Sequence, residues 1–431
     1  MPLLRHLPRF RRARRLLAAF EAHESWPRAD ITQLQLTRLN AVWGHAIRHV
    51  PHYRALRQRL DLPPRFDSLD KYQESLPVLT KEHVRSDGLS LLSERREPGG
   101  WKWTSGSTGK PMRFYWGSAS HRYVLSARYR FYASWGIDHY DRTVFVWGAE
   151  QGRGLGRLRE QALDRLRNRL RVPAYRLDAA SLRQAAQRVA AFDPRFIYGL
   201  GHAVDLLAVE AAEIGAKTDN VGLVVVTGEP AGATLAERTR LAFGAPTAVE
   251  YGATECHLIA GQAPDGTLRV REDVALVETA PREDGRYDIL LTVLGNPSYP
   301  LLRYRIEDTV DAPLEKPETG FAILPALLGR AADVLKASDG RIYHPARVDK
   351  IFESDRLGRV VRRYRIDQHE DGSIVLRLEP IWSLSAVDQR FAQAEVERLS
   401  GDYPVRVEVV DRMTDRFKHR GLVSALQGAG G

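Results

Sequence analysis

The stretch with the most chemical potential is Thr104-Ser105-Gly106-Ser107-Thr108-Gly109-Lys110-Pro111. Its glycines let backbone N–H groups approach an anion closely, and the hydroxyls and Lys110 add donors and positive charge. That is a phosphate-cradling composition. It is not the GxxxxGK[ST] loop of phosphate-loop kinases and GTPases: Thr104 holds the first glycine position, and Pro111 replaces the hydroxyl residue after the lysine. Gly228-Glu229 follow an apolar run, Leu223–Val226, at a predicted strand's C-terminal end, where α/β sheets place ligands. The one cysteine, Cys256, excludes an internal disulfide and any zinc module needing two cysteines, and fits a reducing, cytoplasmic setting.

The elements that must position these groups follow from periodicity. Leu34, Leu36, Leu39, Val42, Ala46 and Val50 have helical spacing, and Pro51 punctuates it. Tyr123–Trp135 reads as a helix and Thr143–Trp147 as a buried strand. Helices at Leu182–Phe192, Ala203–Ile214 and Leu235–Phe243 then alternate with strands at Phe196–Tyr198, Leu223–Val226 and Thr247–Tyr251. This rhythm predicts an α/β domain with helices covering a largely parallel sheet. From Gly285 the texture turns to β, with strands expected at Tyr287–Val293 and Phe321–Leu324. After Gly329 a small α+β unit is expected, with strands Ile374–Leu378 and Val405–Val409 and a helix over Gln389–Leu399.

Three further segments, in order, complete a family pattern: Tyr251-Gly252-Ala253-Thr254-Glu255, Tyr299-Pro300-Leu301-Leu302-Arg303-Tyr304-Arg305-Ile306-Glu307-Asp308, and Gly329-Arg330-Ala331-Ala332-Asp333. With the Ser105–Pro111 loop, they resemble the phosphate loop, adenine and magnesium motif, ribose motif and hinge of the adenylate-forming (acyl-AMP) ligase superfamily. His45-Ala46-Ile47-Arg48-His49-Val50-Pro51-His52-Tyr53-Arg54 resembles the N-terminal signature of its phenylacetate–CoA ligase branch. Asp193–Leu200 resembles a segment of the CapK and coenzyme F390 synthetase-like members. The resemblance implies a large multi-sheet N-terminal adenylation domain over 1–329 and a small, mobile α+β C-terminal domain over 330–431, turning at Asp333.

It also implies residue roles. Ser105, Gly106, Ser107, Thr108, Gly109 and Lys110 would hold ATP phosphates, Glu255 would hold Mg²⁺, and Gly228, Glu229, Tyr251, Gly252, Thr254, Asp308 and Arg330 would bind the nucleotide. Two anions must meet when a carboxylate attacks the α-phosphate, so donors and a metal-held charge are needed there. The lysine that usually touches the acyl carboxylate aligns with Arg416, with Lys418 two residues on. Glu307 replaces the usual glycine before the ribose aspartate. Segment 268–274 offers no Cys or His, so the structural zinc of some members is not expected.

By position, Phe145, Trp147, Tyr198, His202, Ala253 and His257 are candidates for the acyl pocket, an aromatic wall suited to a small, aromatic or apolar carboxylic acid. The expected reaction is ATP-dependent formation of an acyl-adenylate with release of pyrophosphate, then transfer to the thiol of CoA or of a phosphopantetheine arm on an acidic carrier protein. An amine acceptor and a catalytically impaired nucleotide-binding relative are the alternatives. The chain carries 64 Lys+Arg against 54 Asp+Glu, a formal charge of +10, with arginines concentrated between residues 5 and 15. Such a stretch is a solvated basic helix or a peripheral contact through residues 1–20 to a membrane or acidic partner. Elsewhere the charges are mixed in sign without an aromatic-plus-basic stacking motif, so nucleic acid is not expected. No apolar run reaches the roughly 18–20 residues of a membrane span.

Overall fold

The computed structural model describes residues 23–104, 112–138, 140–148, 155–174, 179–228, 233–330, 334–343, 345–352, 354, 356–411, 413 and 421–426. The basic stretch at residues 5–15, the phosphate-type loop 105–111, Glu229, Asp333, Arg416 and Lys418 lie outside them.

A seven-stranded sheet forms the centre. In spatial order its strands are Arg169–Val172, Thr143–Val146, Phe196–Leu200, Leu223–Thr227, Thr247–Tyr251, Ala260–Gln262 and Leu268–Val270. The first five run parallel and the last two are antiparallel additions. Phe196–Leu200 and Leu223–Thr227 are buried along their whole length, as parallel strands covered on both faces must be. On one face Val144, Val146, Ile197, Val224 and Val226 pack against the helices Ala179–Phe192 and Gly201–Glu213. On the other, Phe196, Tyr198, Val225 and Ala248 pack against Phe131 and Tyr132 of the helix Ser118–Ala133.

The chain leaves Thr143–Val146 for the edge strand Arg169–Val172, then returns to the far side at Phe196–Leu200. The winding therefore reverses between Thr143–Val146 and Phe196–Leu200, and ligands of doubly wound sheets sit in the crevice beyond such a point.

A second, antiparallel sheet runs Ala275–Pro281, Tyr287–Val293, Tyr304–Val310, Leu327–Arg330. It shares a core with the helices Arg28–His49 and Pro51–Leu60, through Leu39, Trp43, Tyr53, Leu291 and Tyr304. The two helices break at Val50, whose φ of −118 and ψ of 114 are extended, the conformation that a following proline favours. A third core lies between Ile366, Leu376 and Leu378 of a four-stranded sheet and Val348, Val396 and Leu399 of the helices Pro345–Phe352 and Ala386–Ser400.

The expected α/β architecture is therefore present. One expected strand is not: Phe321–Leu324 forms only isolated bridges, Ile323 pairing with Arg269 and Glu315. Its apolar side chains are buried because the segment closes the sheet edge, with Val270 N–H donating to Ala322 O at 2.8 Å and Leu324 N–H to Leu268 O at 2.8 Å.

The sheets and helices are cross-tied by a buried ionic group. Asp273 is fully buried and receives Arg130 at 2.6 Å and 3.1 Å, while Glu24 meets Arg271 at 2.6 Å and Arg130 at 3.2 Å. Burial alone would raise the Asp273 carboxyl, but Arg130 overrides it and holds the group well below the usual range. Burial lowers Arg271 to about 10. Because the Asp273 value is depressed, its stabilisation is complete above the ordinary carboxylate range of about 4 and is lost as pH falls further. Asp273→Asn leaves buried guanidinium groups without their counter-charge, and should cost about 3–5 kcal/mol in urea unfolding at neutral pH. A loss below about 1 kcal/mol would show the group to be dispensable.

Candidate active site

The antiparallel strands Gly99–Trp103 and Arg113–Gly117 flank the phosphate-type segment in the chain. Its base is closed by Thr104 N–H donating to Met112 O at 2.8 Å and by Met112 N–H donating to Thr104 Oγ1 at 2.9 Å. The ends of the loop are thus fixed beside each other. Trp116, four residues after Met112, donates its indole N–H to Thr254 O at 3.0 Å, which ties the hairpin to the turn after Tyr251.

That turn is unusually tight. A Cβ on Gly252 would lie 2.1 Å from the carbonyl oxygen of His257, so only glycine lets the backbone pass. His257 N–H donates to Ala253 O at 2.6 Å, and His257 has φ +62, a left-handed conformation rare outside glycine. Glu255 is 5% exposed, and Tyr304 O–H donates to its Oε1 at 3.4 Å. Tyr251 O–H donates to Oδ2 of the half-buried Asp308 at 2.7 Å. The second and third motif segments therefore exchange two side-chain hydrogen bonds. The backbone of Arg330 pairs with Asp308 across the ladder, which brings the fourth segment alongside.

Glu307 keeps the backbone geometry of the glycine it replaces. Its φ is +70, and the register with Tyr287–Val293 slips beside it, which places a bulge next to Asp308. Lys81 Nζ meets Glu307 Oε2 at 2.5 Å and holds the side chain. Tyr53 of the N-terminal signature braces the same run: its hydroxyl donates to Pro300 O at 3.0 Å and accepts from Leu302 N–H at 3.2 Å.

The acyl-pocket candidates fall into two groups. Phe145, Trp147 and Tyr198 form one stack at the winding reversal. Phe145 and Tyr198 are nearly parallel, 8° apart with centroids 5.4 Å distant, and Trp147 lies 5.9 Å and 6.0 Å from them. His202 opens the helix Gly201–Glu213 beyond the same strand ends. Ala253 and His257 belong to the tight turn. Gly228, with φ +81, ends the strand Leu223–Thr227.

Arg128 and Glu250, which sequence reasoning missed, join the two groups. Glu250 is 1% exposed and accepts from Tyr198 O–H at 3.0 Å, Tyr132 O–H at 3.3 Å and Arg128 at 2.9 Å. Arg128 also donates to His257 O at 3.2 Å and lies 5.8 Å from the Tyr198 ring centroid. Burial opposes its charge, but Glu250 and the two tyrosines raise Arg128 well above its ordinary value. A carboxylate inside the apolar run Thr247–Tyr251 was the available signal, since such a residue demands a partner. Burial, reinforced by Arg128, His121 and Lys102, lowers His257 to about 3. Cys256 is sealed in the core, its thiol donating to Leu258 O at 3.3 Å and pushed up to about 12 by burial and then Glu255.

A divalent cation fits Glu255 as one carboxylate among phosphate oxygens, the mode common for Mg²⁺. Among the described residues no three His, Cys, Asp or Glu side chains gather as an all-protein metal cage.

No protein-family model matches the chain. CapK of Staphylococcus aureus is 20% identical over 327 residues, 72% of this chain and 70% of CapK. Among solved structures, 2-hydroxyisobutyryl-CoA ligase in the postadenylation state, in complex with R3-HIB-AMP, superposes with a TM-score of 0.74 at 20% identity, covering 93% of this chain and 91% of that one. The chain has the fold of the adenylate-forming CoA ligases. An anthranilate CoA ligase in complex with anthranoyl-AMP shares the fold more loosely, with a TM-score of 0.53 at 17% identity over 74% of this chain and 64% of that one. The same 2-hydroxyisobutyryl-CoA ligase in the thioesterification state gives 0.61 at 20% identity, over the same 93% and 91%. The TM-score is thus higher against the postadenylation form than against the thioesterification form. No helix among the described residues is long and apolar enough to cross a membrane.

Gly252→Ala should destabilise the protein by more than about 1 kcal/mol, because backbone rather than a flexible side chain blocks the new methyl. Thermal melting checks this, and an unchanged transition would mean that the turn can open without cost.

Proposed function

We propose that the chain activates a small carboxylic acid with ATP and passes the acyl group to a thiol. The carboxylate attacks the α-phosphorus, pyrophosphate leaves, and the acyl-adenylate forms. The acceptor thiol, of CoA or of a phosphopantetheine carrier protein, then attacks the carbonyl as its proton and AMP depart. The observation that carries this reading is the hydrogen bonding of Trp116 to Thr254, Tyr304 to Glu255 and Tyr251 to Asp308, which gathers the segments of the family pattern around one turn.

In this reading Asp308 accepts from the ribose hydroxyls, with Tyr251 fixing its second oxygen. Ser105–Lys110 neutralise the phosphates from a loop whose base Thr104 and Met112 clamp. Glu255 holds Mg²⁺, which when bound supplies charge neutralisation for the phosphates. Arg416 or Lys418 meets the acyl carboxylate. The Phe145–Tyr198–Trp147 stack faces the acyl group, with His202, Ala253 and His257 completing its surroundings. The left-handed geometry kept at Glu307 favours an active enzyme over an impaired nucleotide-binding relative.

ATP–pyrophosphate exchange against a panel of acids tests the reading. Acid-dependent exchange is expected. Asp308→Ala should raise the KM for ATP about tenfold or more, the cost of removing a charged acceptor from two hydroxyls. Tight ATP binding with no exchange for any acid would overturn the proposal.

The unit after Asp333 is proposed to turn between the two half-reactions. Its present seat is marked by Arg238, which pairs with Asp205 at 2.7 Å and donates to Gly358 O at 2.6 Å. Arg238→Ala should therefore slow acyl-adenylate formation more than transfer from preformed acyl-adenylate, in rapid-quench assays of each step. Equal slowing of both would refute this seat.

A further inference from the structure

The wall described above contains polar atoms that none of the described residues satisfies. His121 Nδ1, His257 Nε2 and Arg128 Nε are each shielded from solvent and have no hydrogen-bond partner among the described residues. Buried polar atoms are nearly always paired, so three unmet ones in a single wall call for an explanation.

These atoms lie along one continuous surface. The His121 and His257 rings meet edge to face with centroids 4.9 Å apart, and Trp116 covers His257 at 4.2 Å. Arg128 binds the His257 carbonyl on one side and lies over Tyr198 on the other, so the imidazole pair continues directly into the Phe145–Tyr198–Trp147 stack. His257 is held in this place by a left-handed backbone, the kind of strain that persists where surrounding structure enforces it and that clusters at ligand sites. Burial, then Lys102, Arg128 and Arg122, lowers His121. A neutral imidazole offers one donor and one acceptor nitrogen. An unsubstituted aryl or alkyl group answers neither.

We propose that His121 and His257, backed by Arg128, form a polar specificity subsite in the acyl pocket for a carboxylic acid bearing a hydroxyl or amino group. The inference rests on the ligase reading above and narrows its substrate class. A hydroxyl or amino substituent both donates and accepts, and so completes the hydrogen bonding of the pair. An unsubstituted acid leaves these nitrogens unmet, and discrimination built on unmet buried groups is large compared with that from a missing methylene.

The test compares the wild type with His121→Phe, His257→Phe and His257→Gln, each checked for folding by circular dichroism and thermal melting. ATP–pyrophosphate exchange is measured for benzoate against its hydroxy and amino derivatives, and for propanoate against lactate. In the wild type at least one substituted acid should exceed its parent about tenfold or more in kcat/KM, and that ratio should fall about tenfold in each Phe variant. His257→Gln, which retains a donor and an acceptor, should keep more of the ratio than His257→Phe. Parent acids matching every substituted acid, or a ratio surviving in the variants, overturns the subsite.

Calorimetric titration of the same acids with AMP present reads the subsite without turnover. If no acid supports exchange, the ligase reading fails. A substituted-acid preference in binding that the variants lose still upholds the subsite, and equal binding of substituted and parent acids overturns it.

Discussion

The buried pair of Arg128 and Glu250 is the interaction on which the candidate site depends. Removing two charges from water is costly, and Tyr198, Tyr132 and the His257 carbonyl offset that cost by meeting all of the pair's hydrogen-bonding capacity that the described residues meet, Arg128 Nε being left over. Those partners come from the helix Ser118–Ala133, two strands of the central sheet and the turn after Tyr251. One ionic contact therefore fixes the aromatic stack, the tight turn and the helix relative to one another. A hydrophobic substitute could fill the same volume, but it could not register three elements by hydrogen-bond geometry.

The same logic of enforced geometry governs the nucleotide side. Asp308 sits beside a break in the ladder with Tyr287–Val293, where Glu307 takes a left-handed conformation and Lys81 holds its side chain. The ion pair with Lys81 tethers the side chain of this left-handed residue. The unfavourable φ is offset within the same residue that suffers it.

Much of the fold was legible from periodicity. The alternation from Thr143 to Tyr251 became the parallel sheet, with helix and strand ends displaced by a few residues. Phe321–Leu324 was misread because an apolar run closing a sheet edge has a strand's composition without its ladder. For the site, the motif segments could be picked out because they resemble, in order, the motifs of the adenylate-forming ligase superfamily. Arg128 and His121 could not be, because their meaning lies in contacts between residues far apart in the chain, and Glu250 offered only the signal of a carboxylate in an apolar run. The sheet order placed Trp147 and His202 at one crevice, a juxtaposition that no local spacing encodes.

Cys256 has a consequence outside folding. It is the only sulfhydryl in the chain, is sealed by Cys256–Leu258 packing and held protonated. A protein proposed to receive a free thiol as acceptor thus presents none of its own for mixed-disulfide formation with that acceptor. Oxidising conditions that couple small thiols to exposed cysteines would leave this chain uncapped. The same feature makes the native sequence a silent background for thiol-directed probes, so that a reporter introduced near Arg238 or Gly358 would follow the small unit without competing labels.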